Sequence, residues 1–326
     1  MRWIFRLVFY MGVLACAVLA LAMGAAVLRE GETRADSLPS EGRLVATPEG
    51  TIFALEAGPD DGPPLLFAHG TAAWSGLWAP VLEATGADGW RAVAFDMPPF
   101  GFSDHAQDRI YSRPRQAERI LALVETMQIK PIFVAHSVGA GPAVEAVMQN
   151  QDAFAGLIVV AGALALGRHE GEARLPLPLQ PEPIRKAATA LTMTNPWLTR
   201  RFLSGFVHRK EAVTDARVAL LQRPLRRQGT TRAYADWLPN LLVPPQDARS
   251  TRTAEYKALR LPVVYIWGQE DTVTPLAQAQ TLAALTPGAQ LITLPGVGHI
   301  PQIEDTPAFG LALTRALGLI APGALN

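Results

Sequence analysis

A short apolar segment that runs directly into a serine and then into a helix constrains this chain more than any other feature. Residues 132–136 form an apolar run, and a helical pattern begins at Gly139 and continues to Met148. Ser137 stands at the junction, where a tight turn requires small residues two before and two after it, here Ala135 and Gly139. This layout is typical of a nucleophile elbow, which exposes a hydroxyl where a strand meets a helix.

Strand-like and helix-like segments alternate from residue 42 to the end of the chain. Apolar runs without polar alternation, such as residues 156–160, are typical of strands buried on both faces. The sequence therefore predicts an α/β fold with a mostly parallel sheet and helices on both faces. The eight predicted strands are residues 43–47 and 51–56 as a hairpin, then 64–68, 91–95, 132–136, 154–160, 261–267 and 290–294.

The spacing of these segments predicts four parts. Residues 42–165 and 261–326 form the α/β core, and residues 166–260 form a helical cap, because ninety residues are implausible as a bare loop. Residues 31–41 are polar and are predicted to be a tether between residues 1–30 and the core. A last helix is predicted to start with Thr306 as its N-cap and Pro307 in its first turn.

The first thirty residues predict a membrane segment. Residues 7–28 are uncharged and almost entirely apolar, which is long enough to cross a hydrocarbon core of about 30 Å. Arg2 and Arg6 precede this run and charges of both signs follow it. The positive-inside rule then predicts a single-pass anchor with a cytoplasmic N-terminus and the core on the far side, periplasmic in a bacterium. The alternative is a secretory signal cleaved near Ala22, which would release the domain.

Composition excludes several other classes of protein. The formal net charge is zero, so the chain as a whole has no electrostatic attraction to nucleic acid, and no nucleic-acid partner is expected. Cys16 is the only cysteine, which excludes a disulfide scaffold and a cysteine-built metal site. There is no glycine-rich phosphate fingerprint, neither Gly-x-Gly-x-x-Gly after a strand nor a Walker sequence, so no nucleotide-binding loop of these types is predicted.

Two further side chains complete a possible reaction centre with Ser137. A serine hydroxyl is a weak nucleophile unless a base takes its proton and a third group orients that base. Asp271 and His299 each follow a predicted strand, and the ends of parallel strands lie along one edge of a sheet. We therefore predict Ser137 as nucleophile, His299 as general base and then acid, and Asp271 as the group that fixes the imidazole. The backbone N–H groups of Val138 and Thr71 are the predicted oxyanion hole.

These motifs together resemble the α/β-hydrolase family of the type with a helical cap, over roughly residues 42–320. The resemblance rests on His69-Gly70, the segment Asp96 to Ser103, the serine turn, Gly268-x-x-Asp271 and Gly298-His299. Two departures stand out: Ala135 replaces the first glycine of Gly-x-Ser-x-Gly, and Pro99 replaces the glycine of Asp-x-Pro-Gly. Members that hydrolyse epoxides or haloalkanes use aspartate as nucleophile, so the resemblance implies a serine hydrolase that needs no cofactor.

The resemblance implies hydrolysis of a carboxylic ester through an acyl-enzyme, and we expect an apolar or lipid-like ester. Trp74, Trp78 and Phe100 are predicted to line the substrate pocket, although all three could equally belong to the core. A cofactor-free haloperoxidase or perhydrolase and a carbon–carbon bond hydrolase would use the same triad. A binding protein without catalysis is a third possibility, because fold alone does not fix function.

The predicted cap carries an excess of positive charge. Residues 168–255 hold fifteen arginines and lysines against eight aspartates and glutamates in a chain that is neutral overall. Near a bilayer, each well-placed basic residue contributes about 1 kcal/mol of attraction to anionic lipid. The cap is thus a candidate lipid-contact surface, and the alternative is an ordinary solvated helical surface.

Overall fold

A single eight-stranded sheet organises the core. The computed structural model of the chain describes residues 2–167, 174–243, 245 and 247–324. Three charged residues counted in the cap, Arg168, Glu170 and Glu172, lie outside this described part. The strands are β1 (Gly42–Thr47), β2 (Gly50–Ala57), β3 (Pro64–Ala68), β4 (Arg91–Phe95), β5 (Ile132–His136), β6 (Gly156–Val160), β7 (Val263–Gly268) and β8 (Gln290–Leu294).

The strand order is β1-β2-β4-β3-β5-β6-β7-β8. β2 pairs antiparallel with β1 and with β4, and every other neighbouring pair is parallel. The predicted hairpin and the mostly parallel sheet are confirmed. β5 lies in the middle, with Ala135 in register with Ala68 of β3 and Val159 of β6, so the serine turn that follows it is surrounded by other strand ends.

Helices cover both faces of the sheet and fill the interval between β6 and β7. They are α1 (Arg2–Arg29), α2 (Arg34–Ser37), α3 (Ala79–Ala87), α4 (Arg113–Met127), α5 (Ala140–Gln149), α6 (Glu182–Leu191), α7 (Pro196–Phe206), α8 (Asp215–Gln222), α9 (Thr230–Leu242), α10 (Thr253–Lys257), α11 (Leu276–Leu285), α12 (Pro301–Glu304) and α13 (Thr306–Ile320).

The two faces of the sheet bury separate apolar clusters. One face packs against α4, α5 and α11, with Phe133 and Val159 of the strands among its fully buried residues. The other face packs against α3 and α13, where Trp78 and Phe309 meet strand residues such as Val134. Strands buried on both sides explain the continuous apolar runs in the sequence.

The last helix begins one residue earlier than its sequence signal indicates. The side chain of Asp305, and not that of Thr306, caps α13 by accepting a hydrogen bond from the Ala308 N–H. Thr306 is the first helical residue and its hydroxyl donates to the Gln302 carbonyl. Both residue types are good N-caps, so the sequence predicts the start of the helix to within one residue but not which of the two side chains caps it.

Helix α1 is apolar and lies largely exposed, with mean hydropathy 2.5 over an 18-residue window. It is the one helix among the described residues that is long and apolar enough to cross a membrane. Length and composition alone do not separate an anchor from a signal sequence, because both pass the same test.

The residues that follow α1 are attached to the helical segment between β6 and β7. α1 packs against α6, and Ala26 is buried there. The Glu32 N–H donates to the Arg226 carbonyl at 3.1 Å, and the Gln228 N–H donates to the Glu32 carbonyl at 2.8 Å. The predicted tether is therefore hydrogen-bonded to the cap at its start.

Candidate active site

Three side chains from the ends of β5, β7 and β8 meet in one hydrogen-bonded line. His299 Nε2 lies 2.8 Å from Ser137 Oγ, and His299 Nδ1 lies 2.9 Å from Asp271 Oδ2. A carboxylate only accepts hydrogen bonds, so Nδ1 carries the hydrogen and Nε2 offers its lone pair to the serine hydroxyl. The structure thus brings together the three residues that the sequence singled out, in a geometry that allows proton transfer from Ser137.

The backbone at Ser137 has the conformation that a nucleophile elbow requires. Ser137 has φ of +53°, a left-handed value that is uncommon outside glycine. Gly139 lies so close to the preceding loop that a Cβ there would be 2.3 Å from the His69 carbonyl oxygen. Ala135 is fully buried in the strand, so alanine fits where the family motif has glycine. Local strain of this kind is found at functional sites.

Asp271 is held by several donors in addition to His299. Its Oδ1 accepts from the N–H groups of Val273 and Thr274, and its Oδ2 accepts from the Thr274 hydroxyl at 2.7 Å. Burial alone would raise the pKa of Asp271, but the hydrogen bond and charge of His299 and the Thr274 bonds outweigh it and hold the pKa below its ordinary value. The carboxylate therefore stays ionised and fixes the imidazole.

His69 shapes the loop that contains the predicted second oxyanion donor. Its Nδ1–H donates to the Gly70 carbonyl at 2.9 Å, and its Nε2 accepts from the Met97 N–H at 3.1 Å. Burial lowers the pKa of His69 to about 4, so the ring is neutral and can make both bonds. The adjacent Thr71 lines a cavity together with Ser137. Thr71 thus shares a cavity with Ser137, and Val138 directly follows Ser137 in the chain; their role as oxyanion donors stays a prediction.

His136 is a second histidine at the site whose contacts the sequence does not reveal. Its Nε2–H donates to the His299 carbonyl at 2.9 Å, and the two rings lie 5.3 Å apart between centroids. Burial lowers the pKa of His136 to about 3, so the ring is neutral. Its position immediately before Ser137 is the signal from which this contact could have been suspected.

A small apolar cavity of about 80 Å³ opens directly onto Ser137 and His299. Its far wall comes from α7, which contributes four side chains, Thr199, Phe202, Leu203 and Phe206. A larger cavity of about 530 Å³ lies on the other side of Val138 and is lined in part by polar and charged residues, including Arg113 and Gln278. The two cavities share Gly70, so a bound molecule could extend on both sides of the serine.

Of the three aromatic residues expected at the pocket, only Phe100 lines one of these two cavities. Trp74 and Trp78 belong to the core instead. Trp74 packs edge-on against Phe102 and donates its indole N–H to the Leu220 carbonyl at 2.8 Å. Trp78 is fully buried against Phe67 and Phe309. Both tryptophan side chains belong to the apolar layer between the sheet and α3, so the prediction that they line the pocket is wrong.

The segment from Asp96 to Ser103 serves the structure of the site. Asp96 accepts hydrogen bonds from the N–H groups of Ser75 and Phe102, and burial raises its pKa to about 6. The peptide bond between Pro98 and Pro99 is cis. Within the described residues, no group of three or more His, Cys, Asp or Glu side chains is arranged to hold a metal ion.

Comparison with known proteins identifies the fold family of the chain. Residues 63–306 match the family described as alpha/beta hydrolase fold. A 2-hydroxymuconate semialdehyde hydrolase of Pseudomonas putida is 27% identical over 262 residues, which cover 76% of this chain and 85% of the relative. A pimeloyl-[acyl-carrier protein] methyl ester esterase of Xanthomonas axonopodis is 27% identical over 263 residues, which cover 78% and 94% of the two chains.

One of the similar solved structures shares the fold over nearly the full length of the chain. A membrane phospholipase A, described as a bacterial virulence factor, superposes with a TM-score of 0.65 at 18% identity. The match covers 99% of each chain, so it includes the N-terminal helix. At this identity the likeness concerns the fold alone.

Proposed function

The chain belongs to the α/β-hydrolase fold family, and from that premise we propose that it is a serine hydrolase that cleaves a carboxylic ester through an acyl-enzyme intermediate. The observation that carries the proposal is the continuous line from Ser137 Oγ through the His299 ring to Asp271, with both distances below 3.0 Å. This is the arrangement that activates a serine hydroxyl.

In the proposed reaction Ser137 Oγ attacks the ester carbonyl while His299 Nε2 takes its proton. Asp271 stabilises the resulting imidazolium, and the N–H groups of Val138 and Thr71 donate to the developing oxyanion. His299 then returns the proton to the departing alcohol, which leaves an acyl group on Ser137. A water molecule, deprotonated by His299, attacks that acyl group and releases the acid, and the proton goes back to Ser137.

An apolar acyl or alcohol group fits the cavity beside Ser137 best. Its walls are mainly aliphatic and aromatic side chains, among them Leu77, Leu203 and Phe206. Burying such a group contributes about 0.8 kcal/mol for each CH₂ removed from water. The polar atoms of the ester group would face Ser137 and His299, while the larger cavity beyond Val138 would accept a more polar part of the same substrate.

We also propose that α1 anchors the protein in a membrane, with its N-terminus in the cytoplasm. Its attachment to the cap supports a lipid-like substrate. The Arg29 guanidinium donates to the hydroxyls of Thr194 and Thr231 at 3.2 Å each. Thr194 lies two residues before the start of α7, so the helix that walls the cavity begins close to the end of the apolar segment.

The basic surface of the cap would contact anionic headgroups beside that junction. Arg201 is exposed on α7 near Trp197, which is 91% exposed, and Arg200 is exposed there while paired with Asp215. Arg227 is excluded from this role because it is buried and donates to the carbonyls of Gly101 and Ser103. Co-sedimentation of a variant that lacks residues 1–28 but keeps Arg29 tests the contact. Stronger binding to anionic than to neutral vesicles is expected, and equal binding would contradict it.

The activity itself is tested with p-nitrophenyl esters of increasing acyl length, using wild type and Ser137→Ala. Turnover that has an optimum in chain length and is lost in the variant supports the proposal. Turnover in both proteins would remove Ser137 from the mechanism. Absence of turnover in both, even with a broad ester panel, would favour a binding protein on the hydrolase fold.

A carbon–carbon bond hydrolase on the same three residues is the second candidate. It is favoured by the relative of Pseudomonas putida, which is named for 2-hydroxymuconate semialdehyde. Loss of the visible absorbance of that compound on incubation with wild type, at a kcat above that for any ester, would select this activity. A perhydrolase activity is tested in parallel by acetate-dependent bromination in hydrogen peroxide.

A further inference from the structure

Glu304 is a buried carboxylate that accepts four backbone hydrogen bonds and has no role in the reaction proposed above. It ends α12, five residues after His299, and is 7% exposed. Two of its donors flank the histidine: the Gly298 N–H at 2.9 Å and the Ile300 N–H at 3.0 Å. The carboxylate therefore holds the backbone on both sides of His299.

The other two donors belong to the cap. The N–H groups of His208 and Arg209 lie 2.8 and 3.0 Å from Glu304 Oε2. These residues come shortly after the end of α7 and lie about a hundred positions before Glu304 in the sequence. One carboxylate thus bridges the loop of the proposed base and the helix that walls the cavity. Hydrogen bonds to an ionised acceptor are roughly twice as strong as neutral ones.

Further contacts fasten the same two segments to each other. The His299 N–H donates to the carbonyl of Phe206, the last residue of α7, at 3.2 Å. The Phe206 and His299 rings lie 5.8 Å apart between centroids. The Arg209 guanidinium donates to the Gly296 carbonyl at 2.8 Å and pairs with Asp305 at 2.8 Å, so this side chain adds two more links between the segments.

Close approach of the two segments also requires glycine at residue 298. A Cβ on Gly298 would lie 2.6 Å from the His208 backbone nitrogen and 3.0 Å from Glu304 Oε1. The junction therefore leaves no space for a side chain, and the backbone N–H groups point directly at the carboxylate.

We infer that Glu304 is a positioning residue that makes the placement of His299 depend on the seating of α7. It acts through backbone N–H groups and touches neither Ser137 nor the cavity. With α7 seated as in the structure, this contact supports the loop that places His299 against the serine. Without that seating, Glu304 would lack its two cap donors and the histidine loop would lack their support. This inference rests on the proposed function, because it concerns the base of that reaction.

The test compares Glu304→Ala and Glu304→Gln with Glu145→Gln. Glu145 is a matched control: it is 1% exposed and accepts the N–H groups of Arg249 and Ser250, but its donors lie away from the histidine loop. A displacement of about 1 Å in a reacting group can cost about 10²-fold in rate. We therefore expect kcat to fall about 10²-fold in Glu304→Ala and about tenfold in Glu304→Gln, which keeps one acceptor oxygen.

Two readouts separate positioning from general destabilisation. KM for a short ester should change by less than about threefold, and the rate of covalent labelling of Ser137 by a fluorophosphonate should fall by the same factor as kcat. Glu145→Gln should lower the melting temperature while its labelling rate stays close to that of wild type. If Glu304→Ala does not fold, the labelling rate of the isosteric variant Glu304→Gln serves as the test.

The inference is overturned if folded Glu304 variants are labelled at the wild-type rate, or if Glu145→Gln slows labelling equally. Labelling needs no knowledge of the natural substrate. If wild type hydrolyses no ester yet is labelled at Ser137, the proposed ester substrate is at fault, and the Glu304 comparison can still be made.

Discussion

The edge of the sheet supplies the three side chains of the proposed reaction, whereas the cap above it supplies a wall of the cavity. Ser137, Asp271 and His299 come from short turns after β5, β7 and β8, so the strand ends bring all three to one edge of the sheet. The cavity wall comes from α7, whose place depends on packing and hydrogen bonds with distant residues. Reactivity should therefore be sensitive to changes at the sheet edge, and substrate preference to changes in the cap.

The largest effect is expected from Asp271→Asn. The amide keeps the shape of the side chain but favours the wrong imidazole tautomer, a change that costs about 10⁴-fold in kcat in a serine protease. We expect a loss of this order here, with KM little changed, measured with the best p-nitrophenyl ester. Thr274→Val, which removes the hydroxyl at Asp271 Oδ2 but keeps the backbone N–H bond to Asp271 Oδ1, is the milder companion. A kcat for Asp271→Asn within tenfold of wild type would remove Asp271 from the mechanism.

A pair of glycine substitutions contrasts the two regions directly. Gly139→Ala would place a Cβ 2.3 Å from a backbone carbonyl beside Ser137, whereas no atom lies within 4 Å of a Cβ at Gly205 in α7. The first change should lower kcat about 10²-fold by shifting the serine turn. The second should stabilise its helix by about 1 kcal/mol. Thermal melts and initial rates measure both, and equal effects would contradict the contrast.

A change in the cap should alter selectivity more than reactivity. Phe202 lines the cavity but is 40% exposed, so Phe202→Ala enlarges the space with little loss of packing. We expect the chain-length optimum to move to longer esters, with kcat/KM for the original best ester reduced about tenfold. Rates of Ser137 labelling by a small fluorophosphonate should stay within about twofold of wild type. An unchanged optimum would show that α7 does not set acyl length.

The smallest effect concerns stability in mild acid. His69 and His136 have folded pKa values of about 4 and 3, below the ordinary value of 6.5, because both are buried. Between pH 6.5 and those values the unfolded chain binds more protons than the folded one, so stability falls as the pH is lowered. At pH 5.5 each histidine contributes a loss of about 1 kcal/mol.

Two other buried groups also contribute to the pH dependence of the unfolding free energy. His105, with a pKa lowered to about 3 by burial, adds to the loss. Asp96 opposes it, because a folded pKa of about 6 favours the folded state as the pH falls through 6. Denaturant melts at pH 7 and pH 5.5 should show a net loss of about 2 kcal/mol or more in unfolding free energy. An increase would mean that these histidines are protonated in the folded state.

The residues at the sheet edge could be predicted from sequence because their signals are local. A buried strand followed by Ser137, Asp271 or His299 identifies each position, and the parallel-sheet rule places them at one edge. The orientations of Trp74 and Trp78 could not be predicted, since an aromatic residue after a strand can face a cavity or the core. Distant partners decide this: Leu220 for Trp74 and Phe309 for Trp78.

Glu304 was missed for the same physical reason. Its sequence neighbours Gln302 and Ile303 give no sign of a functional carboxylate, and its cap donors lie at His208 and Arg209. A backbone N–H carries no residue-type signal, so a carboxylate that binds only such groups is invisible in sequence. The structure buries the segment around Glu304 almost completely, and the sequence of that segment does not predict this burial.

Peptide mapping after treatment with a fluorophosphonate tests the central claim most directly, because it asks whether His299 and Asp271 activate Ser137. The account predicts a single covalent adduct, on the peptide that contains Ser137, which is absent in Ser137→Ala and forms much more slowly in Asp271→Asn. An adduct on another residue, or equal labelling of wild type and Ser137→Ala, would contradict the assignment of Ser137 as the nucleophile.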